Sequence, residues 1–414
     1  MIKVVDSIMG SGKTSYVIDL LNNNLWENDP KKYLVITPYL EQIERICKEV
    51  SEAREPKRTG KSKTQNLIDL LKKEVNIVVC THELLKGFSE FELLKPYTFL
   101  IDESPDVIEV MYDDGQQENS EIIAVEDIEI LRKAGYVKEA EDGFLEWIAD
   151  EYTGVVYTEA YKYLKNKALA IRGNRVFKLL PRQLFLAFQD VYIFTYLFEG
   201  QNMYYYCRYF DIPFEYMHVD FKDGRYSLEA GHGDNDNNFP IIIYDGNLND
   251  IGEKGLSKNW YENNATDNEI QRLKNNIYNY LRNDRKAKIK EIIWTTFKKY
   301  ASKIAYGNDK LKLDRKNKSG RETKGNFVSC SARATNDYKD ATVVVYAVNR
   351  FPKPEIKQFF EEKNGIYYNE ELFALQEMLQ FIWRSAVREG HTIHAYIPSK
   401  RMRDLFFKWR DKAI

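Results

Sequence analysis

The first half of the chain alternates short apolar runs with stretches of helical spacing. Helical spacing is clearest at residues 14–21 and 40–47, where apolar residues recur every three or four positions. The apolar runs lie at residues 3–5, 33–37, 75–80, 98–101 and 191–195. Runs of this length without polar alternation are typical of strands in a parallel sheet that is covered by helices on both faces. The pattern therefore predicts an α/β unit at the start of the chain.

A second alternation follows residues 231–238, a polar stretch rich in Gly and Asn that predicts a turn or linker. Helical spacing recurs at residues 270–281 and 372–387. Further strands are predicted at residues 241–244, 292–296, 326–329, 342–346 and 392–396. The second half is therefore predicted to be another α/β unit of similar size.

These two patterns predict a chain of two lobes, residues 1–230 and 240–414, each a mostly parallel sheet flanked by helices. Residues at about 106–181 do not follow the alternation, because they are acidic at first and then mixed in character. We interpret them as a segment of helices and hairpins inserted into the first lobe.

Composition narrows the classes of protein that fit this pattern. Among 414 residues, 61 Lys and Arg balance 63 Asp and Glu, which excludes a uniformly basic protein and leaves only a local patch for nucleic acid. Mean hydropathy is -0.54 and no apolar run approaches 18 residues, so no membrane partner is expected. Four scattered cysteines and the absence of a secretory signal indicate a cytoplasmic protein.

A glycine-rich loop follows the first predicted strand and opens the first predicted helix. Gly permits the backbone to turn its N–H groups around a triphosphate, and the helix N-terminus favours the negative charge. Lys13 would neutralise the β- and γ-phosphates of ATP, and Thr14 would ligate Mg²⁺. The plain alternative is a glycine turn with an accidental lysine. The predicted loop residues are Gly10, Ser11, Gly12, Lys13, Thr14 and Ser15.

Two carboxylates end the predicted strand at residues 98–101. Asp102 would hold Mg²⁺, and Glu103 would orient and polarise the attacking water. Parallel strands bring such ends to the same sheet edge as the phosphate loop. An Asp-Glu pair by itself is more often a solvated loop, so this prediction depends on the loop upstream.

Taken together, these residues resemble motifs I and II of superfamily 2 helicases. Residues 37–45, 80–85, 195–196, 292–297, 332–337 and 380–388 resemble motifs Ia, Ib, III, IV, V and VI. The wording of motifs V and VI looks most like phage-encoded replication helicases, which are related to the helicase part of herpesvirus origin-binding proteins. The resemblance implies two RecA-like P-loop lobes, ATP and Mg²⁺ in the cleft between them, and 3′-to-5′ movement on single-stranded or forked DNA.

Motif VI would supply an arginine finger from the second lobe. Gln380, Arg384 and Arg388 carry the match, with the two arginines four positions apart on a predicted helix face. A finger stabilises charge on the γ-phosphate, and either arginine could serve. An ordinary exposed helix face with surface arginines is the alternative.

Nucleic acid would follow strand ends and one basic segment, residues 310–324. Short hydroxyls at strand ends suit phosphates without reading bases, and a basic loop can follow a phosphate backbone, although it could equally be a solvated loop. The predicted contacts are Thr37, Thr81, His82, Thr295, Thr335, Lys316, Lys318 and Arg321.

The sequence therefore favours an ATP-dependent DNA helicase, acting in phage replication with other replication proteins in the host cytoplasm. Two kinds of alternative stay open. A nucleotide kinase or signalling NTPase would share motifs I and II but would not need the second lobe and motif VI. An ATP-gated nucleic-acid clamp, an RNA helicase or remodeller, or a partner-binding adaptor that hydrolyses ATP poorly would lack processive unwinding of DNA.

Overall fold

A computed structural model describes residues 1–25, 30–58, 60, 62–111, 123–233, 237–249, 251, 255–316, 322–330 and 337–414. The strands are β1 (Ile2–Asp6), β2 (Lys32–Thr37), β3 (Ala53–Arg54), β4 (Ile77–Thr81), β5 (Tyr97–Asp102), β6 (Ile108–Met111), β7 (Val137–Glu139), β8 (Phe144–Trp147), β9 (Leu169–Arg172), β10 (Arg175–Leu179), β11 (Val191–Thr195), β12 (Phe214–Lys222), β13 (Arg225–Ala230), β14 (Ile241–Ile243), β15 (Ile292–Thr295), β16 (Arg315–Lys316), β17 (Glu322–Thr323), β18 (Val343–Tyr346) and β19 (Ile393–Tyr396).

The α-helices of the described residues lie mostly between these strands. They are α1 (Lys13–Asn24), α2 (Leu40–Glu49), α3 (Lys63–Lys72), α4 (His82–Leu85), α5 (Val125–Lys133), α6 (Thr158–Lys165), α7 (Arg182–Leu186), α8 (Asn202–Tyr209), α9 (Asp267–Asn279), α10 (Lys298–Ala305), α11 (Pro354–Glu361), α12 (Glu370–Ile382) and α13 (Lys400–Arg410). Within the described ranges, no helix has the length and apolar character that a membrane crossing requires.

The first sheet has eight strands in the order β13-β12-β1-β11-β5-β2-β4-β3. All neighbours are parallel except the β12–β13 hairpin at one edge. The central strands are buried along nearly their whole length. This burial is what their unbroken apolar runs predict, because such runs are typical of a sheet covered on both faces. β11 lies between β1 and β5 in the sheet. The phosphate loop after β1 and the two carboxylates at the end of β5 therefore lie at the same edge of the sheet, with one strand between them.

The inserted segment forms its own antiparallel sheet, in the order β6-β10-β9-β8-β7. Its helices α5 and α6 pack on one face, where Leu131, Leu145, Leu164 and Leu169 are buried in a separate apolar cluster. The predicted helices and hairpins are therefore present. Their strands form one sheet, and the whole segment lies between β5 and β11 in chain order.

The second half contains a parallel sheet in the order β14-β19-β18-β15. The strand predicted at residues 326–329 is wrong, because among these residues only Phe327 forms a bridge, to Trp294. The segment meets β15 at this one parallel bridge, where the Trp294 N–H donates to the Asn326 carbonyl and the Val328 N–H donates to the Trp294 carbonyl, at 3.0 Å each. The Asn326 side chain accepts a hydrogen bond from the Trp294 indole and donates to the carbonyls of Ile289 and Lys310, so it ties neighbouring loops to that bridge.

One element of the second half packs into the core of the first. Helix α11 buries Ile356, Phe359 and Phe360 in the same apolar cluster as strands β1, β2 and β5. The loop after it stacks Tyr368 on Tyr205, with ring centroids 4.0 Å apart. The division predicted at residues 230–240 stays a prediction, and α11 crosses it in space.

Candidate active site

The phosphate loop connects β1 to α1 through two glycines in the left-handed region. Gly10 has φ 86° and Gly12 has φ 88°, values that other residues adopt only with strain. A Cβ atom on Gly12 would lie 2.2 Å from a ring carbon of Tyr226, on β13. The backbone angle therefore favours glycine at position 12, and a larger residue there would also have to displace the far end of the half-buried Tyr226 side chain.

The start of the loop is tied to the neighbouring strands. The carboxylate of Asp6 accepts hydrogen bonds from the backbone N–H groups of Leu197 and Phe198, at 2.8 and 3.0 Å. Ser7, which replaces the usual first glycine, accepts through its hydroxyl from the Val219 N–H at 2.9 Å. These bonds join the loop to the segment after β11 and to the β12–β13 hairpin.

Lys13 is folded onto the loop. Its ammonium donates to the carbonyl oxygens of Ser7 and Ile8, at 2.5 and 2.9 Å. Burial lowers the pKa of Lys13 to about 8, against the opposing effect of Asp102, Asp6 and Glu103. The cation is thus held inside the loop by carbonyls that a phosphate group could replace.

The carboxylate of Asp102 is partly buried at the end of β5. The Thr37 hydroxyl donates to Asp102 Oδ2 at 3.4 Å. Burial and, to a lesser extent, the nearby Glu103 raise the pKa of Asp102 to about 7, against the opposing effects of Lys13 and Thr37. A carboxyl group with a raised pKa is characteristic of functional sites.

Glu103 has a strained backbone. Its φ is 63°, an uncommon value for a residue with a side chain, and its N–H donates to the Phe194 carbonyl at 3.0 Å. The Tyr39 hydroxyl donates to Glu103 Oε2 at 2.9 Å. Such strain costs on the order of 1–3 kcal/mol and persists where the surroundings hold it.

These groups share one cavity of about 290 Å³ with side chains from the second half. Nearly all the residues predicted for ATP binding and catalysis line it: Gly10, Gly12, Lys13, Thr14, Ser15, Asp102, Glu103, Gln380, Arg384 and Arg388. Ser11 is not part of this lining, and its buried hydroxyl has no hydrogen-bond partner among the described residues. The structure therefore brings the residues of motifs I, II and VI together across the two halves.

The arginines of motif VI do not share a helix face, so that prediction is wrong. Helix α12 ends at Ile382, and Arg388 lies in a separate 3₁₀ turn at Ala386–Glu389. The extended backbone of Ser385, with ψ -177°, breaks the helix between them. Arg384 is buried and Arg388 is exposed at the rim of the cavity. Burial lowers the pKa of Arg384, and Tyr39 and Glu103 oppose that shift.

Several lining residues were missed by the sequence reasoning. Tyr39, Gln42 and Arg45 enter the cavity from α2 and the residue before it, and Tyr196 and Trp383 complete its wall. The available signal was position, because α2 starts at the same sheet edge as the phosphate loop. Residues 37–45 resemble motif Ia, and among them the sequence predicts a role only for Thr37, as a nucleic-acid contact.

Of the four predicted nucleic-acid contacts whose side chains the structure describes, three are buried, which corrects those three. Thr37 and Thr295 are fully buried and His82 is 4% exposed. His82 lies behind β5, with Nε2 3.1 Å from the Asp102 carbonyl. Thr81 is partly exposed. The remaining predicted contacts, Thr335, Lys318, Arg321 and the Lys316 side chain, lie outside the described residues.

The donors fit ATP with Mg²⁺ better than a protein-only metal site. Thr14 and Asp102 supply hard oxygen atoms to the same cavity, which suits Mg²⁺ held jointly with substrate phosphates and water. The described residues contain no cluster of three or more His, Cys, Asp or Glu that could hold a metal alone.

A second cavity of about 390 Å³ lies behind the first, between the inserted sheet and the second half. It shares Glu103, Gln380 and Arg384 with the first cavity. Its wall carries ion pairs, Lys178 with Glu109 and Arg350 with Glu377, each at 2.7 Å.

Two family profiles match the chain. Residues 4–126 match the DEAD/DEAH box helicase profile, and residues 237–410 match the YonV C-terminal Rossmann-like domain. The SPbeta prophage-derived protein YonV of Bacillus subtilis (strain 168) is 35% identical over 437 aligned positions, which cover 99% of this chain and 98% of that protein.

Solved structures of XPD share the fold. An XPD helicase structure matches with a TM-score of 0.53 and 12% identity, covering all of this chain and 94% of that one. Xpd4 of S. tokodaii gives a TM-score of 0.51 at 14% identity, with 100% and 94% covered. The predicted fold class of two RecA-like lobes is confirmed. The matches also support the resemblance to superfamily 2 helicases, whereas the relation to herpesvirus proteins gains no support from them.

Proposed function

Because the chain belongs to the YonV family and both of its halves line one cavity around a phosphate loop, we propose that it is an ATP-dependent nucleic-acid helicase or translocase. The observation that carries the proposal is the shared cavity, in which Lys13, Asp102 and Glu103 face Arg384 and Arg388. A nucleotide kinase or a signalling NTPase would not need this second, arginine-bearing half.

The loop residues would bind the triphosphate of ATP through backbone N–H groups and hydroxyls: Gly10, Ser11, Gly12, Thr14 and Ser15. Lys13 would leave the carbonyls of Ser7 and Ile8 and neutralise the β- and γ-phosphates. Thr14 and Asp102 would hold Mg²⁺, which when bound neutralises charge on the phosphate oxygens.

Glu103 would orient the attacking water and accept its proton as the bond from the γ-phosphorus to the bridging oxygen breaks and ADP leaves. Arg384 or Arg388 would stabilise the charge that develops on the γ-phosphoryl oxygens. Gln380, which lines the cavity beside Arg384, would hydrogen-bond the reacting group.

We propose single-stranded or forked DNA as the substrate and 3′-to-5′ as the direction of travel. The direction rests on the superfamily 2 resemblance alone. The prophage origin of the relative supports a role in phage DNA replication, with other replication proteins, in the host cytoplasm. Thr81 and the basic segment at residues 310–324 are the contacts that we retain for the strand.

One observation favours the second candidate, an ATP-gated nucleic-acid clamp. Helix α11 and its following loop bury aromatic side chains in the core of the first half, including the Tyr205–Tyr368 stack. A ratchet needs the halves to move apart repeatedly, and buried apolar contacts oppose such motion. In a clamp, ATP would change the affinity for the strand without stepwise movement.

The test compares ATP hydrolysis with single-stranded DNA, with RNA and without nucleic acid, using Lys13→Ala as the blank. Lys13→Ala should abolish hydrolysis and leave the fold intact, because it removes one charge and little core volume. Stimulation by DNA above RNA is the expected result. Wild-type turnover in a folded Lys13→Ala protein would refute the site.

Strand displacement then separates the helicase from the clamp. A duplex with a 3′ single-stranded tail should be unwound and a 5′-tailed duplex should be a poor substrate. A preference for the 5′ tail would overturn the direction. Hydrolysis without displacement on either duplex would favour the clamp.

A further inference from the structure

The loop after β2 touches both carboxylates at the end of β5. The Thr37 hydroxyl donates to Asp102 Oδ2 at 3.4 Å, and the Tyr39 hydroxyl donates to Glu103 Oε2 at 2.9 Å. The loop is itself braced, because the Tyr39 N–H donates to the Thr37 hydroxyl at 3.4 Å. Residues 37–39 therefore face the catalytic carboxylates, where the motif Ia resemblance implies a nucleic-acid contact.

Glu103 depends on such a contact for its orientation. Its left-handed backbone, with φ 63°, is anchored through its N–H to the Phe194 carbonyl. The backbone anchor leaves the rotatable bonds of the side chain free, and a glutamate loses substantial rotamer freedom when it is held in one position. A hydrogen bond at the carboxylate supplies the missing constraint.

Tyr39 is suited to that role by its own placement. It is half-buried, directly precedes α2, and lines the same cavity as Glu103 and Arg384. Packing around the half-buried ring therefore restricts its motion, and the hydroxyl is held in a fixed position. Charge-assisted hydrogen bonds to a carboxylate are among the stronger ones in proteins.

We propose that Tyr39 is a positioning residue, which holds the Glu103 carboxylate in the orientation required to direct the attacking water. This inference rests on the proposed ATP hydrolysis. Tyr39 touches Glu103 and acts through it, so its loss should lower turnover while ATP binding persists.

The test is Tyr39→Phe, which removes one hydroxyl and keeps the ring. We expect kcat to fall about 10- to 100-fold, the range of one hydrogen bond to a charged group, and KM for ATP to change by less than about 3-fold. Tyr306→Phe is the matched control, because Tyr306 is 79% exposed and is not among the residues that line the cavity. An unchanged kcat in Tyr39→Phe would overturn the proposal.

A double-mutant cycle with Glu103→Ala separates positioning from general disruption. If Tyr39 acts through Glu103, then Tyr39→Phe should change the residual kcat of Glu103→Ala by less than about 2-fold. An equal fold-loss in both backgrounds would refute the positioning role.

The same cycle on thermal unfolding, without nucleotide, detects the contact independently of activity. The two single Tm shifts should sum to about 1–4 °C more than the shift of the double variant. Additive shifts would refute the Tyr39–Glu103 contact. A wild-type chain that hydrolyses no ATP would defeat the proposed function, and this stability cycle would still decide whether the pair exists.

Discussion

Glycine at position 12 satisfies two requirements that can be measured separately. Gly12 has φ 88°, and a Cβ there would lie 2.2 Å from the Tyr226 ring. The backbone strain of a non-glycine residue in the left-handed region is about 1–2 kcal/mol. The added methyl group would also displace the far end of the half-buried Tyr226 side chain, which costs about 1 kcal/mol more. Gly12→Ala should therefore destabilise the protein by about 2–3 kcal/mol.

Two other glycines separate these terms. Gly224 lies in the β12–β13 turn beside Tyr226 and has φ 75°, but its added Cβ would meet no atom of the described residues within 4 Å. Gly224→Ala should therefore show only the strain of about 1–2 kcal/mol. Gly87 lies outside the positive-φ region, and a Cβ added to it would likewise meet no described atom within 4 Å. Gly87→Ala should be neutral or stabilising by up to about 1 kcal/mol.

Calorimetric unfolding of the nucleotide-free variants is the assay. At about 2 °C per kcal/mol, Tm should fall by about 4–6 °C for Gly12→Ala and about 2–4 °C for Gly224→Ala. Tyr226→Ala combined with Gly12→Ala should restore about 1 kcal/mol relative to additivity, because the ring no longer meets the methyl group. A Gly12→Ala protein as stable as Gly224→Ala, or a double variant that restores nothing, would refute the contact with Tyr226.

Three further predictions concern charge. Arg388→Ala should lower kcat with little change in Tm because Arg388 is exposed, whereas Arg384→Ala should lower both kcat and Tm. Replacing the arginine that acts as the finger should lower the rate of hydrolysis by about 10³–10⁵-fold. Normal hydrolysis by both variants would contradict the proposed site. Burial raises the pKa of Asp102 from 3.8 to about 7, so the folded wild type binds this proton more tightly and loses stability as pH rises through that window. Asp102→Asn in EDTA should then be more stable than wild type by about 1–4 kcal/mol at pH 8 and by much less at pH 5. Unfolding of both proteins at the two pH values measures this difference. If the stability of the two proteins depended equally on pH, the raised pKa of Asp102 would be refuted. Neutralising the three basic residues predicted within residues 310–324 should reduce the slope of log affinity against log salt by about 0.7 per lost phosphate contact. The slope is measured by binding to labelled single strands. An unchanged slope would favour the alternative that the segment is a solvated loop without contact to nucleic acid.

The sequence by itself determined the elements and the phosphate loop. An apolar run without alternation is a local consequence of burial on both faces, so β2, β5 and β11 were predicted close to their observed bounds. The loop at Gly10 and Gly12 was equally local, because its angles require glycine at those positions. Parallel strands then bring Asp102 to the same edge, and this follows from topology without any side-chain detail.

Only the tertiary structure decided which side chains meet at that edge. Tyr39 and Glu103 are 64 positions apart, and no periodicity encodes their contact, since it depends on the order of strands and the packing of α2. Helix α11 is a second example. Its apolar residues predict that one face is buried, but they do not show that this face packs into the core of the first half.

The two errors in the site have a related physical cause. Helix α12 ends before Arg384 because Ser385 is extended, and helix ends depend on local capping and packing that helical spacing does not report. Thr37 and Thr295 lie at strand ends, as predicted, yet both are fully buried. Whether the end of a strand reaches solvent depends on the loops and side chains that cover it, and that packing is decided only in the folded chain.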